Sequence, residues 1–398
     1  MAYKIGLVGK PSVGKSTFFN AATMNEIAEG NYPFTTIDPS VGEAYVRVKD
    51  AAPDFDETSD PRVGFVNEGT RYVPAKLVDV AGLIPGAHEG KGLGNQFLTD
   101  LNEADVLIHI VDFSGKTDIE GEPTEDHDPR EDIEFLKEEL NMWYLEILRK
   151  GIERFEGKVR QHDVKIEEEL AEQMSAFKTN KNEIKQVILS LDLELDPSTW
   201  TKDDEKMLAA KIREKTKPMV IAANKMDDEK AQENFEEITN DPDYQDLEIV
   251  PCSAHAEKAL KNAAEQDVVE YYPGDKEFNI VGDLSEDKEE GLKKIREFME
   301  KYEGIGVQKA LESALFKELG VIAVFPGGAD GLGDEHGNIL PDCFLMPEGT
   351  TAEDFAYHIH SDIGEGFLHA IDCRNNRQIG ADHKLEHRDV IEIVSANQ

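Results

Sequence analysis

The sequence predicts an α/β protein with a helical insertion and a small second α+β domain, and three features support this prediction. The apolar strand Tyr3–Val8 runs into a glycine-containing loop and then a helix, as in the first β–loop–α unit of a parallel sheet. Within 130–217 apolar residues step by three and four, which indicates a helical hairpin or short coiled coil that projects from the surrounding domain. Within 311–398 a helix is indicated at Ala352–His360, and short apolar runs alternate with turns and indicate four strands: Val321–Phe325, Asp342–Leu345, Gly366–Asp372 and Val390–Val394. We therefore expect a first domain at 1–310, which contains the insertion at 130–217, and a second domain at 311–398.

The composition excludes some classes of protein and suggests an environment. Lys plus Arg number 43 and Asp plus Glu number 83 in 398 residues, a formal net charge of −40. This excess is the opposite of the basic patch of an ordinary nucleic-acid binder. The 39% of hydrophobic residues argues against a disordered chain. The acidity resembles that of halophilic proteins that work in concentrated KCl, where a Debye length of about 3 Å screens self-repulsion, and we take halophilic adaptation as a hypothesis.

The cysteines and the hydropathy indicate the compartment. Cys252, Cys343 and Cys373 are few, odd in number and widely spaced, which argues against a disulfide scaffold and a cysteine metal site. The first residues lack the hydrophobic region of a signal peptide, and no apolar run approaches the roughly 18 residues of a membrane helix. We therefore expect a cytoplasmic protein with no membrane partner.

The first motif that carries chemistry is Gly9–Ser16, which matches GxxxxGK[ST] between a strand and a helix. In such a loop, main-chain N–H groups converge on phosphate oxygens and the helix dipole adds to the attraction. We expect Lys15 to reach the β- and γ-phosphates and Ser16 to offer its hydroxyl to Mg²⁺. The predicted phosphate-binding residues are Lys10, Pro11, Ser12, Val13, Gly14, Lys15, Ser16 and Thr17.

Two further segments are predicted to complete the metal and γ-phosphate site. Asp79 lies at the end of an apolar strand, where it can hold Mg²⁺ through water, and Gly82 can place its N–H near the γ-phosphate. Residues 31–39 have the proline-rich, polar character of a switch loop, in which a threonine closes over Mg²⁺. Thr35 and Thr36 compete for that position. We assign Thr36 to the metal and to catalysis and keep Thr35 as the alternative.

The base-reading residues follow two later strands. Asn224, Lys225 and Asp227 form NKxD at the end of an apolar strand. The carboxylate can accept two parallel hydrogen bonds, which matches N1–H and the 2-amino group of guanine and nothing on adenine. The wrong base would leave a carboxylate unpaired, so discrimination should be large. Ser253 and Ala254 follow the next strand and can present N–H groups to the base oxygen.

Together with the long segment Asp79–Leu98, these motifs resemble an Obg-related GTPase, close to the Obg-like ATPase (YchF) branch and its archaeal GTP-binding relatives. The resemblance extends over the whole chain. It implies a G domain with a helical insertion and a C-terminal TGS domain of the β-grasp fold. It also implies that GTP and GDP bind with Mg²⁺, that GTP is hydrolysed slowly, and that the insertion and TGS domain meet the ribosome or RNA.

The sequence departs from the family pattern in ways that bear on activity. The YchF branch usually loses the Asp of the base motif, but this chain keeps Asp227, so we predict GTP rather than ATP. Ser12 replaces an Asn that often helps to bind an activating K⁺, which leaves potassium dependence open. Leu83 replaces the water-orienting Gln of Ras-like proteins, so slow hydrolysis is expected. His88 is the nearest titratable substitute, and a solvated switch-loop histidine is an equal alternative.

The charge distribution and the appended regions leave the partner open. Residues 130–217 have a balance of −4, whereas the rest of the chain has −36. This balance fits a surface that meets RNA or a ribosomal partner, and it equally fits ordinary salt bridging along helices. Besides a GTPase switch, we keep two alternatives: an ATPase of the same fold and a non-enzymatic adaptor regulated by its nucleotide.

Overall fold

The computed structural model of the chain describes residues 2–23, 41–80, 101–159, 164–328, 332–334 and 336–396. The chain forms two compact units. The larger unit comprises residues 4–21 and 78–310, and the smaller unit comprises residues 1–3, 22–77 and 311–398. Residue 311 is a limit in both the predicted and the observed division. Residues 22–77, however, group with the C-terminal segment, so residues 1–310 do not form one compact unit. The domains at 1–310 and 311–398 stay a prediction.

The chain contains both helices and strands, as the α/β prediction requires. In chain order they are β1 (Lys4–Val8), α1 (Lys15–Ala22), β2 (Val41–Lys49), β3 (Phe65–Asn67), β4 (Thr70–Asp79), β5 (Val106–Asp112), α2 (Pro129–Val159), α3 (Ile166–Gln173), α4 (Lys181–Ser190), α5 (Lys202–Thr216), β6 (Met219–Asn224), α6 (Glu229–Thr239), β7 (Ile249–Pro251), α7 (Ala254–Glu265), β8 (Val269–Glu270), β9 (Asn279–Ile280), α8 (Glu286–Tyr302), α9 (Val307–Glu312), β10 (Val321–Gly327), β11 (Phe344–Pro347), α10 (Ala352–Ile359), α11 (Ser361–Glu365), β12 (Phe367–Asp372), β13 (Arg377–Ile379) and β14 (Asp389–Ser395). Within the described residues, no helix is long and apolar enough to cross a membrane.

The centre of the larger unit is a parallel sheet in the order β1-β5-β6-β7. The strands are nearly continuous apolar runs because both faces of a parallel sheet are covered. Asp112 at the end of β5 is in register with Asn224 at the end of β6. The N–H of Val80 donates to Leu7 O at 3.1 Å, which brings the residues after β4 beside β1. The carboxyl ends of these strands therefore meet at one edge, where open α/β sheets bind their ligands.

The insertion is a bundle of four helices, α2 to α5, and not the projecting hairpin or coiled coil that the periodicity suggested. Its core continues into the sheet through Val8 and Leu107. Phe177 stacks on Tyr144 with ring centroids 4.1 Å apart and meets Trp143 edge-on at 4.9 Å. A periodic stripe shows which face of α2 is apolar, but it does not show how many partners cover that face. Here α3 and α5 both pack on α2. Because the core of these helices continues into the sheet, the insertion packs directly on the sheet.

The smaller unit contains a five-stranded sheet in the order β11-β10-β14-β12-β13, in which β10 and β14 are parallel and the other pairs are antiparallel. Helix α10 packs its apolar residues, including Phe355, against this sheet. It begins with a capping box, in which Thr351 and Asp354 bond each other's main-chain N–H groups. The four predicted strands and the predicted helix are all present, and β13 and α11 are additional.

Strands β2 to β4 belong to the same unit, and several arginines join them to its C-terminal part. Arg47 Nε lies 2.6 Å from Glu312, and Arg62 lies 2.7 Å from Asp342 and 3.0 Å from Asp334. Asp54 accepts hydrogen bonds from both Arg374 and Arg388. These partners lie more than 200 residues apart along the chain, so they hold two distant segments of this unit together.

Candidate functional site

The glycine-containing loop after β1 has the geometry that its sequence predicts. Ser12 has φ +65° and Gly14 has φ +94°, in the left-handed region that favours glycine. A Cβ on Gly14 would lie 2.6 Å from Asn224 Nδ2, and a Cβ on Gly9 would lie 2.6 Å from Ile110 O. Glycine is therefore required at both positions, because a Cβ would come too close to the neighbouring atoms. Helix α1 begins at Lys15, immediately after the loop, so its N-terminus faces the position where a phosphate would lie.

Lys15 and Asp79 form an electrostatic pair at the foot of this loop. Burial lowers the pKa of Lys15, and the charge of Asp79 opposes that shift. Burial likewise raises the pKa of Asp79, and Lys15 opposes it. Asp79 Oδ1 is buried and has no hydrogen-bond partner among the described residues. An unsatisfied carboxylate oxygen beside an ammonium group fits a site that a cation and a phosphate would complete.

The residues present also fit Mg²⁺, which the motif implies. Ser16 is exposed at the start of α1 and carries a hydroxyl, and Asp79 has the orphaned oxygen. Oxygen ligands are those that Mg²⁺ prefers, and this ion usually takes one or two protein ligands together with water and substrate phosphates. In the part of the chain that the structure describes, no cluster of three or more His, Cys, Asp or Glu could hold a metal.

The side chain of Lys10 points away from the predicted phosphate site into a buried ion pair. Its Nζ lies 2.8 Å from Asp132 Oδ2 and donates to Thr117 O at 2.7 Å. Asp132 Oδ1 in turn lies 2.8 Å from His127 Nε2. The sequence placed Lys10 among the phosphate-binding residues. The structure leaves only its main-chain N–H for that role, because the ammonium group is committed to the first turn of α2.

Asn224 connects the base motif with the phosphate loop. Its Nδ2 donates to Val13 O at 2.8 Å, and its Oδ1 accepts from the N–H of Ala254 at 3.0 Å. One buried amide therefore holds together the phosphate loop, the end of β6 and the start of α7. The sequence predicted Asn224 as a nucleotide contact. In the structure its side chain fixes the relative positions of these three segments.

Lys225 is held by an acid that sequence reasoning did not identify. Its Nζ donates to Asp112 Oδ2 at 2.8 Å, and its backbone has φ +64°. Asp112 is fully buried and also accepts hydrogen bonds from Ser114 and Thr117. Burial raises the pKa of Asp112, but these hydrogen bonds outweigh it and lower the pKa overall. An acid at the end of a strand that is apolar except for His109 was the signal that could have revealed this residue.

Asp227 is oriented by a serine that follows β7. Its Oδ1 accepts a hydrogen bond from Ser253 Oγ at 2.7 Å. The same hydroxyl accepts from the N–H of Ala256 at 3.1 Å and caps α7. Asp227 Oδ2 has no hydrogen-bond partner among the described residues. The carboxylate is thus fixed in direction while one oxygen stays available.

A cavity of about 280 Å³ lies between these residues. Its lining includes Gly14, Thr17, Asn224, Lys225 and Asp227, so the structure brings the phosphate loop and the base motif to one place. Sequence reasoning missed four other lining residues: Ser114, Lys116, Asp228 and His255. Lys116 forms an ion pair with Asp228 at the rim.

Five residues to which the sequence analysis gives a role in hydrolysis lie outside the described residues. They are Thr35, Thr36, Gly82, Leu83 and His88. Their roles at the γ-phosphate and at the attacking water stay predictions.

Comparison with known proteins agrees with this geometry. The family model described as 50S ribosome-binding GTPase matches residues 4–150. The model described as Obg-like GTPase YGR210-like, G4 motif-containing domain, matches 222–328, and the TGS domain model matches 336–395. The three matches follow the predicted order along the chain.

Individual relatives match nearly the whole chain. A GTP-binding protein of Methanocaldococcus jannaschii is 42% identical over 98% of this chain and 99% of its own. The crystal structure of a GTP-binding protein from Pyrococcus horikoshii is 35% identical and superposes with a TM-score of 0.79 over 99% of this chain and 100% of that one. The ribosome-binding ATPase YchF of Buchnera aphidicola (subsp. Schizaphis graminum) is 26% identical over 93% of this chain and 88% of its own. The chain therefore belongs to the Obg-related phosphate-loop GTPases, in the group that unites the YchF proteins with their archaeal relatives and ends in a TGS domain.

Proposed function

We propose that this protein binds GTP in the cavity beside Asp227 and hydrolyses it to GDP and phosphate with the help of Mg²⁺. The observation that carries the proposal is the Ser253–Asp227 hydrogen bond of 2.7 Å, in a cavity that Gly14 also lines. A carboxylate held in one direction, with an oxygen available, is suited to the paired N–H donors of guanine. The phosphate loop at the other end of the cavity would hold the triphosphate.

The residues of this chain support hydrolysis mainly through charge. Lys15 would neutralise the β- and γ-phosphates, and Ser16 and Asp79 would hold Mg²⁺, which would neutralise charge that develops on the phosphate oxygens. Thr36, Gly82 and His88 remain the proposed residues for closing over the γ-phosphate and ordering the attacking water. Because Leu83 cannot orient water, we expect slow turnover in the absence of a partner.

We propose that the partner is the ribosome or a translation-associated RNA. Support comes from the names of relatives, since YchF of Buchnera is described as a ribosome-binding ATPase, and from the near-balanced charge of the insertion. GTP would set the state of the switch segments, and the insertion and TGS domain would meet the partner. A ribosomal partner would place the protein in the cytoplasm.

An ATPase of the same fold is the second candidate, because the curated YchF relatives are named ATPases. Competition of GDP and ADP against a fluorescent nucleotide, in buffer with concentrated KCl, separates the two. We expect GDP to bind at least about a hundredfold more tightly than ADP, because adenine leaves the Asp227 carboxylate unpaired. Equal binding, or a preference for ADP, would overturn the proposal.

Two variants and one partner experiment sharpen this test. Asp227→Asn should reduce GDP affinity and leave ADP affinity within a few-fold, whereas Glu229→Gln in the next helix should change neither. Single-turnover hydrolysis of GTP with and without ribosomes then distinguishes a switch from an adaptor. A switch hydrolyses GTP faster with ribosomes, and an adaptor binds both without turnover.

A further inference from the structure

The smaller unit contains a second cavity of about 240 Å³, formed where strand β4 meets the segment around β11. Its lining combines one buried cation, Arg71, with a mainly apolar wall that includes Val73, Pro74, Phe344 and Leu345. No residue of the nucleotide site contributes to it. A ligand of this cavity would therefore be independent of the proposed nucleotide.

Arg71 is 1% exposed, and its guanidinium group bonds only main-chain carbonyls. It donates to Pro341 O at 2.7 Å, to Leu340 O at 3.2 Å and to Val63 O at 3.5 Å. Its Nε is buried and has no hydrogen-bond partner among the described residues. Within those residues no carboxylate approaches Arg71 to ion-pair distance.

The acids that lie nearest to Arg71 are committed to other groups. Asp342, which also lines the cavity, pairs with Arg62 at 2.7 Å. Asp50 is buried and accepts from the hydroxyl of Ser59 at 2.8 and 2.9 Å. Burial lowers the pKa of Arg71, and the charges of Asp50 and Asp342 oppose that shift from beyond ion-pair distance. The direct contacts of this buried guanidinium group are therefore carbonyl oxygens alone.

A buried charge without a counter-charge is costly, and proteins normally pair it. A guanidinium group prefers planar oxyanions, to which it donates from two nitrogens at once. Asp50 and Asp342 act on Arg71 only from a distance, so an anion in this cavity would supply a negative charge in direct contact and a partner for Nε. The apolar wall requires in addition that the anionic group be attached to an apolar body. The volume lies near the lower end of the range for small-molecule sites, about 300–1,000 Å³, so that body is compact.

We propose that this cavity binds a small organic anion, a carboxylate or phosphate carried on a compact apolar group, with Arg71 as its charge partner. The ligand would join strand β4 to the C-terminal part of the same unit, beside the ion pairs that already connect them. Binding would therefore stabilise this arrangement of the unit.

The test uses the full-length protein in KCl and three probes of similar size: benzoate, phenyl phosphate and the uncharged benzamide. Binding is measured by isothermal titration and by the shift of the thermal midpoint. We expect one of the two anions to bind with a Kd below about 10 mM and benzamide to bind at least about tenfold more weakly. The anion that binds identifies the source as a carboxylate or a phosphate.

Matched variants locate the site. Arg71→Met removes the charge, and Cys343→Phe fills the cavity while Arg71 stays in place. Both should weaken anion binding at least about tenfold. Cys373→Phe, a control at a cysteine outside the cavity lining, should not. If Arg71→Met does not fold, Cys343→Phe decides.

Lys15→Ala should also retain anion binding, because Lys15 belongs to the phosphate loop. The proposal is overturned if neither anion binds, if benzamide binds equally well, or if binding survives Cys343→Phe. Loss of phenyl phosphate binding in Lys15→Ala alone would assign it to the nucleotide site and also overturn the proposal.

Discussion

Lys10 Nζ lies 2.8 Å from the carboxylate of Asp132, and both side chains are 2% exposed. The pair joins the residue at the start of the phosphate loop to the first turn of α2, the first helix of the insertion. This ion pair connects the insertion to the nucleotide site, in addition to the apolar packing of the insertion on the sheet. A change in the insertion therefore has a direct physical route to the phosphate loop.

The first prediction concerns this pair. Asp132→Ala should lower the free energy of unfolding by about 3–5 kcal/mol, because it leaves the ammonium group of Lys10 buried without a counter-charge. Equilibrium denaturation in KCl measures the change. The neighbouring Glu131→Gln, at an exposed side chain, should change stability by less than about 0.5 kcal/mol. The double variant Lys10→Met/Asp132→Leu should recover much of the loss, and a loss below about 1 kcal/mol in Asp132→Ala would contradict the pairing argument.

The second prediction compares two glycines. Gly14→Ala should lower stability by about 1–3 kcal/mol and weaken nucleotide binding, since φ is +94° and the new Cβ would meet Asn224 Nδ2 at 2.6 Å. Gly157→Ala in α2 is the matched control, because no atom lies within 4 Å of its Cβ position. That control should gain about 0.5–1 kcal/mol. Denaturation and GDP titration check both, and equal effects of the two substitutions would contradict the close-approach argument.

The sequence predicted those parts of the fold and site that depend on local spacing. Three segments each lie at the end of an apolar strand: the phosphate loop, the NKxD segment and the Ser253–Ala254 turn. The apolar pattern of the strand and the position of the motif after it were therefore enough to predict where each segment lies. The meeting of these segments at one edge then follows from the parallel sheet. The resemblance to a known family supplied the TGS domain.

The remainder depends on partners far apart in the chain. Nothing near Lys10 in the sequence reveals Asp132, and nothing near Lys225 reveals Asp112. The periodicity of α2 identified its apolar face, but it could not show that two helices and the sheet share that face. Arg71, near the start of the ten-residue strand β4, gave no sign that its charge would be buried.

The third prediction uses His109 in β5. Burial, and then the charge of Lys10, lowers the pKa of His109 from 6.5 to about 3. Between these values the unfolded chain binds a proton that the folded chain excludes, so the contribution to stability is complete above pH 6.5 and is lost as the pH falls towards 3. By pH 5 the loss should be about 2 kcal/mol.

The comparison of wild type with His109→Leu isolates this effect from that of the many carboxylates. Denaturation at several pH values between about 7 and 5 should show a shallower loss of stability in the variant, by about 1.4 kcal/mol per pH unit below 6. His360→Gln, at an exposed histidine, should keep the wild-type slope. Identical slopes for wild type and His109→Leu would show that His109 does not titrate in this way.

The last prediction concerns the net charge of −40. Many of the ion pairs are exposed, such as Lys294 with Glu290, and exposed pairs contribute little. Repulsion among the excess carboxylates should therefore dominate at low ionic strength, and added salt should stabilise the fold. We expect the thermal midpoint to rise steeply up to about 1 M KCl, where the Debye length is about 3 Å, and to level off beyond it. NaCl at equal concentration should give the same rise if screening is the cause, whereas a gain specific to KCl would indicate bound K⁺. A midpoint that stays constant or falls as KCl increases would contradict the halophilic hypothesis, because weakened ion pairs would then outweigh the relief of repulsion.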